Sequence, residues 1–195
     1  MLSQALAPGL LLAAPPLGDP NFGRSVVLIA QHGELGALGW VVNGLEIVSV
    51  AQLLRDAGLT PSGTELPDTA SYRGKARVGG PVSPRSAWLL FRREERFEHE
   101  GQMDLGEHWA ATGARGLVEA IARGDGPDEF RLLLGYAGWA PGQLDQEISA
   151  GAWMPARLDE DLVFEGSTDR LWEDAYQQLV GVSPFAFTSM KPGSA

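Results

Sequence analysis

Two apolar runs rich in β-branched residues, 25–31 (SVVLIAQ) and 37–43 (ALGWVVN), are separated only by His32-Gly33-Glu34-Leu35-Gly36. So short a connection holds a turn and no crossover helix, so the runs are expected to pair as an antiparallel hairpin containing a buried central strand. Residues 10–14 read as a strand before it, closed by Pro15 and Pro16, because proline cannot donate to a central ladder. Asn43-Gly44 marks a turn at the far end. Further strands are expected at 75–78, 86–91, 129–135 and 152–154. The spacing predicts helices over 50–57, from Thr112 to Arg123, from Pro141 through Ile148, and from Ser167 or Thr168 onward with Leu171, Ala175 and Leu179 in one stripe. Residues 60–71 and 92–100 read as loops. Strands that neighbour one another without regularly alternating crossover helices favour an α+β fold over a doubly wound parallel one. The length, 195 residues, suits a single domain over 1–195.

Charge and composition exclude several functions. The net charge of −10 disfavours binding to nucleic acid or anionic lipid. A local basic patch is still conceivable: Arg73, Lys75 and Arg77 alternate and would form one basic face of a strand, with Arg85, Arg92, Arg93 and Arg96 following, although many acids lie close enough to pair with them. The chain has no cysteine, which removes disulfides, thiolate metal sites and cysteine nucleophiles. His32, His99 and His108 lack close ligand spacing, so neither a metal nor another cofactor is expected. Residues 5–17 are apolar, yet no Lys or Arg precedes Arg24, and no apolar stretch reaches the roughly 20 residues that cross a bilayer. The expected location is cytoplasmic, with no membrane association.

Asp19, Ser25 and His32 are the residue types of a hydrolytic triad, but on one continuous strand the odd separation of Ser25 from His32 points them to opposite faces. No catalytic residue is assigned, and a non-enzyme is favoured. Asp19 suits a turn in which its carboxylate holds nearby backbone N–H groups. The sharpest candidate is residues 132–143 (LLLGYAGWAPGQ), a strand entering a helix through glycine-rich backbone. Such a junction presents N–H groups and the positive helix end to an anion. Its spacing, G-x-x-G-x-x-x-G, is neither the dinucleotide fingerprint nor a phosphate loop with its lysine, and Pro141 removes one donor. Gly135, Tyr136, Gly138, Trp139 and Gln143, with the turn residues Asp19 and Asn43, form the candidate site for a carboxylate or phosphate. The competing explanation is structural: Gly135 and Gly138 permit positive φ or close packing while Tyr136 and Trp139 fill the edge of the core.

Several blocks spread along the chain carry a resemblance. Asp19-Pro20-Asn21-Phe22, Ser25-Val26-Val27, His32, Gly36-Ala37, Gly39, Val42-Asn43, Gly79-Gly80-Pro81-Val82 and LGYAGWAPGQLDQEI over residues 134–148 resemble the AlgH/YqgE family. The resemblance implies a bacterial α+β protein with a coiled, partly barrel-like and largely antiparallel sheet, an association with control of alginate production, and no agreed catalytic centre. This sequence departs from the family in two places. Asn43 is followed by Gly44-Leu45 where the family usually has a basic residue and proline, and residues 185–190 (FAFTSM) are apolar and lack the histidine common in family tails. The family association and the missing catalytic constellation together rank three functions. A regulatory or scaffolding protein acting through a protein partner stands first, a small-molecule anion binder or enzyme second, and a nucleic-acid-binding transcriptional regulator third.

Overall fold

A computed structural model describes residues 6–98 and 101–187. In chain order the elements are β1 (Gly9–Ala13), β2 (Val26–Gly33), β3 (Gly36–Val41), β4 (Glu46–Ser49), α1 (Val50–Asp56), α2 (Ala70–Arg73), β5 (Lys75–Val78), β6 (Val82–Arg92), β7 (Met103–Asp104), β8 (Trp109–Thr112), α3 (Arg115–Arg123), β9 (Phe130–Trp139), α4 (Gln143–Ser149), β10 (Trp153–Arg157) and α5 (Leu171–Ala175). Single 3-10 turns lie at Glu95–Phe97 and Pro184–Phe187, and π-helical turns at Asp161–Glu165 and Tyr176–Val180. The class is α+β, as expected. The chain makes two compact units, one from the described residues up to Asn43 and from Ala137 onward, the other from those between Gly44 and Tyr136.

In the first unit the hairpin is present: β2 pairs with β3 and with β1, both antiparallel. β1 also pairs with β10, and β3 with Ala137, Gly138 and Trp139 at the end of β9. Val26, Val27, Leu28 and Ile29 are all buried, which makes β2 a strand covered on both faces. On one side, Leu11, Ala13, Val27, Ile29, Ala37 and Trp139 pack with Leu144 of α4 and Trp153 of β10. β2 carries a bulge, its register stepping from Ile29 opposite Gly39 to Gln31 opposite Leu38. His32 lies opposite Ala37, so it shares the face of Val27 and Ile29. The even–odd count that put Ser25 and His32 on opposite faces therefore fails, because the extra residue resets the alternation.

In the second unit Phe130–Tyr136 of β9 pairs antiparallel with β6 and parallel with β5, and the strand order is β4-β5-β9-β6-β8-β7. Val50 and Leu54 from α1, Tyr72 from α2, and Leu117, Val118, Ile121 and Ala122 from α3 meet Ala76, Leu89, Phe91, Phe130 and Leu132 in one core. The Tyr72 hydroxyl donates to the Ile121 carbonyl at 3.0 Å, and its ring stands edge-on to Phe130. Pairing is antiparallel apart from β5–β9, but no described pairing closes a barrel. The sheet is largely antiparallel, as the resemblance implied, and it is not closed among the described strands.

Local chemistry explains where elements begin and end. The Ser49 hydroxyl accepts from the Gln52 N–H and starts α1, and Gly124 at φ +84° closes α3 as its position predicts. Thr112, expected to cap α3, instead ends β8; its hydroxyl accepts from the N–H of Ala114, the residue directly before α3. The expected stop at Gly135 is corrected: β9 runs on to Trp139. Gly135 sits at φ +73° where a Cβ would collide with the Gly80 carbonyl and come within 3.0 Å of that of Val82. It is a kink inside a strand, not its end. Likewise Pro141 precedes the helix. The Gln143 N–H closes a turn onto the Ala140 carbonyl at 3.0 Å, and α4 starts at Gln143 behind Gly142 at φ +72°. Thr188, Ser189 and Met190 of the unusual tail, and His99 and Glu100, lie outside the described residues.

These two environments separate backbone strain from collision. Gly63→Ala, at φ +81° with open space around it, is expected to cost about 1 kcal/mol. Gly135→Ala adds the carbonyl collisions and is expected to cost at least about 3 kcal/mol by urea denaturation. Equal losses would show that the β9 kink does not need its close approach.

Candidate functional site

In the first unit the residues expected to hold an external carboxylate already hold an internal one. Trp139 at the end of β9 and Trp153 at the start of β10 both donate their indole N–H to Glu147 Oε2, at 2.9 and 2.8 Å. Gln143 donates its amide to Glu147 Oε1 at 2.8 Å, one helical turn away. The Gln143 amide oxygen accepts in turn from the Ala140 N–H at 3.0 Å. Phe22 stacks on Trp139 with centroids 6.3 Å apart and meets Trp153 edge-on at 5.4 Å. Three donors converge on one carboxylate beside three aromatic rings. An external anion would have to displace Glu147, and the turn of Ala140, Pro141 and Gly142 has its Ala140 N–H occupied and no proline donor. Chemistry at the junction is thus recognition of a carboxylate by the chain itself.

The other expected residues have different duties. Asp19 Oδ1 accepts from the N–H groups of Asn21 (2.8 Å) and Phe22 (3.1 Å), the turn role its position suggested. Asn43 accepts from Val26 N–H at 2.8 Å and donates to the Arg24 carbonyl at 3.0 Å, which braces Arg24 at φ +57°. Gly138 lies in the β3–β9 ladder. Gly135 and Tyr136 belong to the second unit, where the Tyr136 ring is edge-on to Trp88 at 6.0 Å. His32 Nε2 lies 3.2 Å from Asp145 Oδ1, whereas Ser25 is buried. Seven strand residues, roughly 20 Å, separate them and no triad forms. The sequence reading missed Glu147 and Trp153. The signal was present in the Gln143–Glu147 spacing of four, but a pair of that kind is ordinary on any solvated helix.

In the second unit the basic stripe is corrected. Arg73 lies in α2, not on a strand, and its Nε is 3.4 Å from Asp68. Lys75 and Arg77 are on β5, and both are engaged by one carboxylate: Glu46 bonds Lys75 and accepts from Arg77 at 2.6 Å. Arg77 also donates to the Gly44 carbonyl at 3.0 Å. Arg92, Arg93 and Arg96 have Glu129, Glu98 and Glu94 beside them. Arg131 in β9 is pulled down to a pKa of about 10, by burial first and by Arg77 second. The Lys75 hydrogen bond is the main influence holding the Glu46 carboxyl below its ordinary 4.5; partial desolvation opposes it, and the Arg77 charge adds to the lowering.

The profile of the family described as AlgH-like matches residues 10–183. The chain belongs to the AlgH-like family. A UPF0301 protein of Anaeromyxobacter sp. (strain K) is 45% identical over 188 residues, covering 93% of this chain and 91% of that one. Another, from Ruegeria pomeroyi, is 36% identical and covers 87% and 89%. The solution structure of the AlgH protein from Pseudomonas aeruginosa superposes with a TM-score of 0.71 at 28% identity, covering 100% of this chain and 98% of that one. The AlgH-like match includes both the Glu147 cluster and the Glu46 pair, and among the described residues no helix is long and apolar enough to cross a membrane.

Two outcomes follow from these AlgH-like clusters. Glu147→Ala strands two buried indole N–H groups and is expected to cost about 3 kcal/mol in urea denaturation, with a shift in tryptophan emission; an unchanged midpoint would rule out the three-donor arrangement. Because the folded Glu46 carboxyl titrates below the unfolded one, its contact stabilises above the unfolded value and is lost as pH falls through the folded value. Exchange of the Val78 N–H, which donates to the Leu45 carbonyl, should therefore accelerate beyond its intrinsic rate as pH falls below the ordinary carboxylate value of 4.5. Glu46→Gln should remove that dependence.

Proposed function

We propose that this AlgH-like chain is a regulatory or scaffolding protein that works by binding a protein partner at the β4–β5 edge of its second unit. The observation that carries the reading is an exposed apolar cluster: Leu45, Ile47 and Val78 are 81%, 44% and 38% exposed. The Val78 N–H donates to the Leu45 carbonyl and keeps two of them adjacent. β4 pairs only with β5 among the described strands, so its outer edge has backbone groups available to an added strand. Exposed apolar residues on the two strands that also carry the Lys75–Glu46–Arg77 ion pairs have the composition of a recognition surface, with charge nearby to set register. An extended, apolar segment of the partner fits it.

The other readings have less support. Direct nucleic-acid binding would need the cations that Glu46, Asp68 and the acids around Arg92–Arg96 already neutralise. Binding of an external carboxylate or phosphate would need donors that Glu147 occupies. A role in transcription would on this reading pass through the partner protein. The reading includes a cytoplasmic location, and the family match across both units supports treating residues 1–195 as one functional domain.

The test is affinity capture from a lysate of the bacterium that carries this gene, followed by titration of each recovered protein, purified, against the purified chain. One partner is expected to bind one-to-one and to lose at least tenfold in affinity to a Leu45→Asp/Ile47→Asp double variant. Absence of a stoichiometric partner, or equal binding to the variant, would sink the proposal.

A further inference from the structure

A cavity of ≈ 630 Å³ opens in the first unit, shares only Trp153 with the Glu147 cluster and lies apart from the partner edge. Its walls are Pro15 and Pro16 after β1, Trp153, Met154 and Pro155 of β10, and Tyr176 after α5. Ile148 and Gly151 complete it from the α4–β10 connection. The volume falls in the range of small-molecule sites, about 300–1,000 Å³.

The side-chain donors of these walls are committed elsewhere. The Tyr176 hydroxyl donates to the Ala13 carbonyl at 3.1 Å, and burial pushes its pKa up to about 12, so it stays neutral. The Trp153 indole N–H is held by Glu147. The N–H of Ala14, a further lining residue, goes to the Ala152 carbonyl, and that of Gly151 to the Ile148 carbonyl. Pro15, Pro16 and Pro155 have no N–H to offer. What remains to face a ligand is mostly ring carbon, the Met154 thioether and aliphatic surface, with no charged side chain in the walls. A charged guest would shed its water with no counter-charge to meet it. A flat ring gains from aromatic, proline and thioether neighbours alike. The walls are also set beforehand, since Glu147 fixes Trp153 and Ala13 fixes Tyr176, so little side-chain freedom is lost on binding.

We propose that this cavity is a binding site for an uncharged, predominantly apolar small molecule containing an aromatic or other flat ring. The site stands on different residues from the β4–β5 edge, so the failure of either leaves the other intact.

The purified full chain is titrated with the neutral fluorophore phenylnaphthylamine and with its sulfonated, anionic counterpart anilinonaphthalene sulfonate. The neutral probe is expected to bind saturably, one per chain, with energy transfer from tryptophan, and the anionic one at least tenfold more weakly. Met154→Glu, at a partly exposed wall position, should weaken the neutral probe tenfold or more. If that variant loses thermal stability, Pro16→Asp, on the exposed rim, gives the same readout. The Leu45→Asp/Ile47→Asp variant should bind the neutral probe as the parent does. Non-saturable binding, equal affinity for the two probes, unchanged affinity in the folded wall variant, or loss of binding in the β4 variant would each overturn the proposal.

Discussion

Two indoles buried in one core bring two N–H donors, and each costs a lost hydrogen bond unless an acceptor is placed beside it. In the first unit that acceptor is Glu147. Its carboxylate holds Trp139 from β9 and Trp153 from β10, while Gln143 holds the other oxygen and reaches back to the Ala140 N–H. The placement of α4 depends on this arrangement, because a helix of only seven residues has little stability of its own. Leu144 anchors the apolar face of the same helix, and Ile148 carries it to the cavity wall. The cavity inherits its preformed shape from the same carboxylate through Trp153.

The second unit meets a different constraint. Its central strand, β9, carries Arg131 in a largely buried position, with Arg77 on the neighbouring β5. Glu46 then gathers Lys75 and Arg77 on the face of the β4–β5 ribbon and takes their charge away from solvent partners. The chain's net charge of −10 and this local pairing act in the same direction, weakening the positive field at β5. What the ribbon presents outward is Leu45, Ile47 and Val78. On the proposed reading, that edge is where another chain would meet this one.

Much of the fold was legible because hydrophobic periodicity and turn chemistry are local. The hairpin of β2 and β3, the start of α1, the Gly124 exit from α3 and the turn made by Asp19 all follow from neighbouring residues. The misreadings share one physical origin. Gly135 reads as punctuation, yet its positive φ serves a kink that depends on the carbonyls of Gly80 and Val82, more than fifty residues away. The bulge in β2, which moved His32 to the face of Ile29, depends on the partner register of β3. β4, β7 and β8 are too short to show a period, and exist because a neighbouring strand offers its edge. Arg73 alternates with Lys75 and Arg77 on paper, but the helix α2 ends between them.

The sequence alone determined the family, through motif blocks whose spacing spans nearly the whole chain, and the α+β class, through adjacent strand-forming runs joined by turns. It also showed that a carboxylate-binding arrangement was plausible near Trp139 and Gln143. Tertiary structure decided which carboxylate: Glu147, because only the folded chain brings β9, α4 and β10 within hydrogen-bonding distance of one side chain. It likewise decided that Glu46 silences the basic residues of β5 and that prolines distant in the chain meet Trp153 and Tyr176 around a cavity. Local pattern states what a residue is able to offer. Only packing decides which partner takes it, because that choice depends on distances between residues far apart in the chain.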